Sequence, residues 1–159
     1  MTMLDPDLFR SVLGRFTTGV TVVTAQDTAG RDHGMTVSSF CSLSLAPPLV
    51  LICVEQSAEL HGVMQRADEF AVNVLASDQE MISRRFAEPD AGRFDGLAFT
   101  RGISGCALLA GTLASLECAV RARHPGGDHT IIVGEVTAAV ARDGRPLLYY
   151  RGGYTQMER

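Results

Sequence analysis

Residues 114–140 read ASLECAVRARHPGGDHTIIVGEVTAAV, and they decide the fold class. Ala114, Leu116, Cys118, Val120 and Ala122 recur at every second position, the period of a strand with one buried face. Pro125, Gly126, Gly127 and Asp128 supply the residues of a tight turn. Residues 131–140 then return as the apolar, β-branched partner strand.

The same period continues outward. C-terminal to the hairpin, the run Arg142-Asp143-Gly144-Arg145-Pro146 turns the chain into a last short strand over 147–150. N-terminal to it, residues 87–111 carry five alanines and five glycines with little periodicity and read as a long surface loop. Further strands are expected from Gly19 through TVVTA, at 33–39, over the continuous apolar run 49–54 as a central strand, and over FAVNVL at 70–75. Helices are fewer and shorter. Asp5-Pro6 caps one whose apolar residues Leu8, Phe9, Val12, Leu13 and Phe16 share a face, and two more are expected near 57–66 and from Asp78 to Phe86. Strands outnumber helices and no linker or repeat interrupts the 159 residues, so the expectation is one mainly β domain over 1–159, a small barrel with a few short helices.

Composition excludes several kinds of chemistry. Apolar residues make up 46% and charged ones 20%, the balance of a soluble globular protein. Fourteen basic and eighteen acidic residues leave a net charge of −4, which disfavours nucleic acid as a partner. All fourteen basic residues are arginine, so lysine Schiff bases and Walker-type phosphate loops are impossible in this sequence. No apolar run approaches the ~18–20 residues a membrane span needs, and no signal-peptide pattern opens the chain, so a cytoplasmic protein is expected. Cys41, Cys53, Cys106 and Cys118 have no metal-ligand spacing and read as buried free thiols.

Four stretches carry candidate chemistry, each with two readings. In GMTVSSFCSLSLAPPL (34–49), Thr36, Ser38, Ser39, Ser42 and Ser44 form either a wall facing a polar ligand or a solvated sheet edge. Gly34 beside them allows close backbone approach or serves the preceding turn. Arg84 and Arg85 offer forked donors suited to phosphate or make a solvated helix face. His129 opens a strand beside the hairpin turn, as a structural or a functional histidine. Tyr149, Tyr150, Arg151, Gly152 and Tyr154 form an aromatic cluster, either core or a stacking platform. There is no G-x-G-x-x-G after a strand, no G-x-S-x-G elbow and no paired carboxylate arrangement.

The ordered blocks FRSVLGRFTTGVTVVTA, GMTVSSFCSLSLAPPLVLICV, FAVNVL, SRRFA, GDHTIIVGEV and PLLYYRGGY closely resemble the flavin reductase-like family across residues 9–154. The resemblance implies an FMN-binding split β-barrel built on a Greek key, assembled as a homodimer. It implies an NAD(P)H:flavin oxidoreductase, with FMN or FAD and NADH or NADPH both open, that supplies reduced flavin to a partner monooxygenase. Asp32, His33, Gly34, Met35 and Thr36, with Ser38 and Ser39, would surround the flavin ring and its side chain, and Cys53, Val54 and Glu55 would form a further flavin contact. Arg85 and Phe86 match the phosphate side, with Arg84 beside them. Tyr149, Tyr150, Arg151 and Gly152 would meet the nicotinamide, with His129 approaching it. Glu59 and Leu60 depart from the family pattern, where a polar or basic pair commonly meets the phosphates. Hydride transfer between stacked rings needs alignment at roughly 3–3.5 Å rather than a side-chain acid or base, which accounts for the missing triad. Two alternatives share the resemblance: an oxidase with tightly bound FMN, which a chain without lysine fits poorly, and a flavin- or heme-binding protein without turnover.

Overall fold

A computed structural model describes residues 4–89 and 92–158. Among the described residues, twelve strands and three short helices follow one another. First come α1 (Pro6–Leu13), β1 (Thr18–Gly19), β2 (Thr21–Gln26), β3 (Asp32–Val37), β4 (Phe40–Leu45) and β5 (Pro48–Glu55). Next are α2 (Glu59–Met64), β6 (Glu69–Val74), α3 (Glu80–Ala87), β7 (Phe99–Arg101) and β8 (Ala107–Leu109). The chain ends with β9 (Ala114–Gly126), β10 (His129–Ala141), β11 (Leu148–Tyr150) and β12 (Gly153–Thr155).

The expected hairpin is the spine. β9 and β10 pair over their whole length, from His129 opposite Gly126 to Ala141 opposite Ala114. Gly127 and Asp128 make the two-residue turn, and Gly127 takes the positive φ of 69° that such a turn needs. β6 adds to β9 and β5 to β10, giving one antiparallel sheet in the order β3-β2-β6-β9-β10-β5-β4. The sheet is not closed: β3 and β4 are its edges and no ladder joins them among the described residues. A smaller sheet, β1-β11-β12, lies against it, and β7 pairs with β8.

β2 explains how one sheet serves two cores. Every residue from Thr21 to Ala25 is buried, because successive side chains point to opposite faces and both are covered. Val23 and Ala25 join Ile52, Val54, Leu60, Met64, Phe70 and Ile132 on one side. Val20 and Val22 join Leu75, Phe86, Leu109 and Leu147 on the other.

Several expectations are corrected. Residues 87–111 are more than a loop, since β7 and β8 lie within them; Asp90 and Ala91 fall outside the described residues. Three-residue strands are too short to show a period. β5 is flanked on both sides, yet its burial alternates, with Val50, Ile52 and Val54 inward and Leu49, Leu51 and Cys53 half-buried. Cys106 and Cys118 are buried thiols as expected, whereas Cys41 is exposed and Cys53 half-buried. Burial pushes the Cys118 thiol up to about 12. α1 forms as expected but buries nothing.

Gly134 marks the tightest point of the spine. A β-bulge lies between Val133 and Gly134, and a Cβ at 134 would stand 2.5 Å from the Phe70 ring and 2.9 Å from Cys118 Cβ. Gly134→Ala should therefore lose about 1–3 kcal/mol of stability, read as a lower urea midpoint. Gly62, within α2 with nothing near its Cβ position, is the control: Gly62→Ala should gain about 0.4–1 kcal/mol.

Candidate active site

The free edge of β3 is the base of the site. β3 pairs with β2 on one side only, with Gly34 opposite Thr24 and Thr36 opposite Val22. The Gly34 carbonyl points away from β2 and accepts from Arg93 Nη1. In an antiparallel ladder alternate residues point the same way, so Thr36 also turns its backbone N–H and C=O to the free edge. There the hydroxyls of the sequence motif collect. The Thr36 hydroxyl donates to the Ser83 carbonyl at 2.6 Å, and Ser39 donates to the Cys53 carbonyl at 2.9 Å. The Cys53 N–H returns a bond to the Ser39 carbonyl at 3.1 Å, which ties the β3–β4 corner to β5. Ser38 is exposed, with no side-chain hydrogen bond among the described residues.

This edge opens onto a cavity of about 370 Å³, within the range of roughly 300–1,000 Å³ usual for small-molecule sites. Met35, Thr36, Ser38, Ser39 and Cys53 line one wall. Tyr149 and Tyr154 form the opposite wall, with Glu55 and His129 also lining the cavity. The two tyrosines are cross-strand partners in β11 and β12, and their rings meet edge to face at 5.5 Å. His129 stands opposite Glu55 in the β10–β5 ladder, and its Nδ1 lies 2.7 Å from Asp128 Oδ1. That contact holds the Asp128 carboxyl below the usual range. Burial, with Cys41 nearby, raises the Cys53 thiol, which keeps it protonated rather than nucleophilic.

Other expected residues lie elsewhere. Val54 and Phe86 are fully buried in the two cores, so their side chains do not reach the cavity. Arg84 binds Glu80 through Nε and Nη2 at 2.9 and 2.7 Å and lies 4.9 Å over the Tyr154 ring. Arg85 donates to the carbonyls of Gly92 and Asp95, and so fastens the following loop. Tyr150 is exposed beside the turn. Arg151 and Gly152 form that turn, both with positive φ (51° and 79°), and face a separate pocket with Arg10 and Gly14.

Asp32, His33 and Gly34 line a neighbouring pocket of about 360 Å³ further along β3, with Glu59 and Arg93. Its charges are already paired. Asp32 accepts from Arg101 at 2.8 and 2.7 Å, while His33 Nε2 and Nδ1 lie 3.0 and 2.9 Å from Asp27 and Glu59. The Arg31 backbone N–H, and then His33, hold the Asp27 carboxyl far below the usual range. Beyond this pocket lies a larger cavity, about 470 Å³, bordered by Asp27, Arg31, Glu59, Arg66 and Asp68. It lacks both the hydroxyl-rich strand edge and the aromatic wall, so the smaller cavity between β3 and the tyrosine hairpin is the better candidate. Ser83 lines that cavity too and was given no role from sequence, while Tyr154, a member of the aromatic cluster read as core or stacking platform, is on the cavity side. Pairing Tyr154 with Tyr149 requires the hairpin, whose second strand is too short to read from sequence.

Residues 13–158 match the flavin reductase like domain. The chain belongs to this family. It is 42% identical over 98% of its length to a reductase subunit of a flavin-dependent monooxygenase from Rhodococcus jostii, 80% of which is covered. An FMN reductase (NADH) from Agrobacterium fabrum is 47% identical over 95% of the chain and 86% of the relative. Among solved structures, an NADH:FAD oxidoreductase from Streptomyces globisporus in complex with NAD and FAD fragments superposes with a TM-score of 0.92. It is 40% identical, and the match covers 99% of this chain and 98% of that one.

The two-pronged Arg101–Asp32 ion pair of this flavin reductase-like domain yields a pH prediction. Arg101 holds the Asp32 carboxyl below its ordinary 3.8. A depressed carboxyl stabilises the fold fully above that value and loses its contribution as pH falls through the lower folded-state value. Asp32→Asn should therefore be less stable than wild type at pH 7, with the gap closing as pH falls below the ordinary carboxylate range in urea titrations.

Proposed function

We propose that this chain is an NAD(P)H-dependent flavin reductase, acting on FMN or FAD and passing the reduced flavin to a monooxygenase component. One observation carries the reading: a free strand edge with hydroxyls and an aromatic hairpin line a single cavity. A bound flavin supplies the hydride acceptor. The chain supplies binding and alignment. The Thr36 backbone N–H and the hydroxyl of Ser38 offer donors for the polar edge of the ring, and the edge-to-face tyrosines offer a platform for a second ring. The arginines closest to that wall are engaged within the protein, Arg84 with Glu80 and Arg85 with loop carbonyls, so the phosphate end is held lightly. This favours a flavin that comes and goes over an oxidase with tightly bound FMN. Of the three relatives described above, two are named for NADH-dependent reduction of FMN or FAD and one as the reductase subunit of a flavin-dependent monooxygenase.

The decisive assay mixes the protein with NADH and FMN or FAD and follows loss of the nicotinamide absorbance; no flavin-dependent loss contradicts the proposal. His129→Ala should lower kcat/KM for the nicotinamide on the order of 10-fold, with flavin affinity near wild type, because misplacing a ring costs alignment. A mutant that reduces flavin as fast as wild type at low NADH returns His129 to a structural role.

The oligomer follows from α1. Leu8, Phe9, Val12, Leu13 and Phe16 are all at least half exposed, and Leu45 on edge strand β4 is 94% exposed. An amphipathic helix that folds with its apolar face outward gains from burial only when a second surface covers it. The proposed cover is a second copy, giving a cytoplasmic homodimer of the obligate kind. Among the described residues no helix is long and apolar enough to cross a membrane. Sedimentation should show twice 17.0 kDa, and a stable monomer that still reduces flavin contradicts this assembly.

A further inference from the structure

Ser83 and Tyr154 join the two walls of the cavity. Ser83 is fully buried in α3. Its carbonyl accepts from Thr36, on the β3 wall. Its hydroxyl lies 2.8 Å from the Tyr154 hydroxyl, on the opposite wall. Tyr154 is in turn the cross-strand partner of Tyr149. Among the described residues, the Ser83–Tyr154 contact is the one hydrogen bond by which β12 reaches beyond its own hairpin. Arg84, steered by Glu80, covers the outer face of the same ring at 4.9 Å.

We propose that Tyr154 is a positioning residue: through Ser83 it clamps the tyrosine hairpin to the β3 edge and sets the width of the cavity in which nicotinamide meets flavin. The inference rests on the flavin reductase reading of that cavity. The β11–β12 hairpin turns on Arg151 and Gly152; β11 is already paired with β1 and the Arg151 N–H donates to the Gly14 carbonyl, so the strand that depends on the hydroxyl pair is β12, the edge of this three-stranded sheet. With the hydroxyl pair in place, the Tyr154 ring stands at a fixed distance from Thr36 and against Tyr149. Without it the Tyr154 ring still packs, but the wall drifts and the stacked geometry loosens.

The test is Tyr154→Phe, which keeps the ring and removes the hydroxyl. In the flavin-free protein, hydrogen exchange at residues 148–155 should quicken by about 2- to 13-fold, the worth of one neutral hydrogen bond, while β9 and β10 stay as in wild type. Stopped-flow reduction at saturating NADH should slow by roughly 10-fold, with the flavin Kd within about twofold of wild type. Ser83→Ala should reproduce both effects, and the double variant should lose no more than either single one. A purely structural tyrosine would lower the melting temperature and leave the reduction rate at saturation unchanged. That result, or unchanged exchange at 148–155, overturns the clamp. A wild-type protein that reduces no flavin overturns the functional reading instead, and the exchange result then decides the clamp alone.

Discussion

The Phe86 ring lies where a side chain at residue 34 would be. A Cβ on Gly34 would stand 2.7 Å from Phe86 Cε1 and 3.2 Å from the Phe94 ring, so α3 can seat on β3 only because residue 34 is glycine. The site depends on that seat. It brings the Ser83 carbonyl within reach of Thr36 and puts Arg84 over Tyr154. The Phe86, Phe94 and Phe99 rings continue edge to face at 5.1 and 5.9 Å, carrying the contact into β7 and holding the loop that Arg85 and Arg93 fasten. The glycine that suggested close approach of a ligand is instead approached by the protein's own core.

Most charge is spent on the fold, and Glu55 and His129 are left to line the cavity. The carboxylates and arginines around the β2–β3 turn satisfy one another, through Asp27 with Arg31 and Asp32 with Arg101. Glu59, which would repel a phosphate, is itself bonded to His33. What faces the candidate ligand is a strand edge, hydroxyls and aromatic rings, with Glu55 and His129 beside them. Such donors orient a planar heterocycle without gripping it, which suits a carrier that binds, reacts and departs in each cycle.

The long elements were legible because their period repeats enough times to be seen. The β9–β10 hairpin, the TVVTA strand and the apolar run through Val54 each present several residues of one pattern, and the hydroxyls of 36–39 do line the cavity. β7, β8 and β12 are three residues long and carry no period, so the tyrosine wall could not be assembled from sequence. Adjacency in sequence also misled. Arg84, Arg85 and Phe86 are neighbours, but the helix sends Phe86 into the core and Arg84 over a tyrosine. Tyr149 and Gly152 likewise separate across a turn, one lining the cavity and the other facing away with Arg10. Exposure of the whole apolar face of α1 is invisible to periodicity, which reports that a face exists and not what covers it.

The central claim is that flavin occupies the cavity between β3 and the tyrosine hairpin rather than the larger one beside the β2–β3 turn. Titrating isotope-labelled protein with FMN and with FAD while following backbone amide resonances tests it directly. The account predicts the largest shifts at residues 35–39, 53–55 and 149–154. Shifts concentrated at residues 26–31 and 59–68, with 35–39 unmoved, would contradict it.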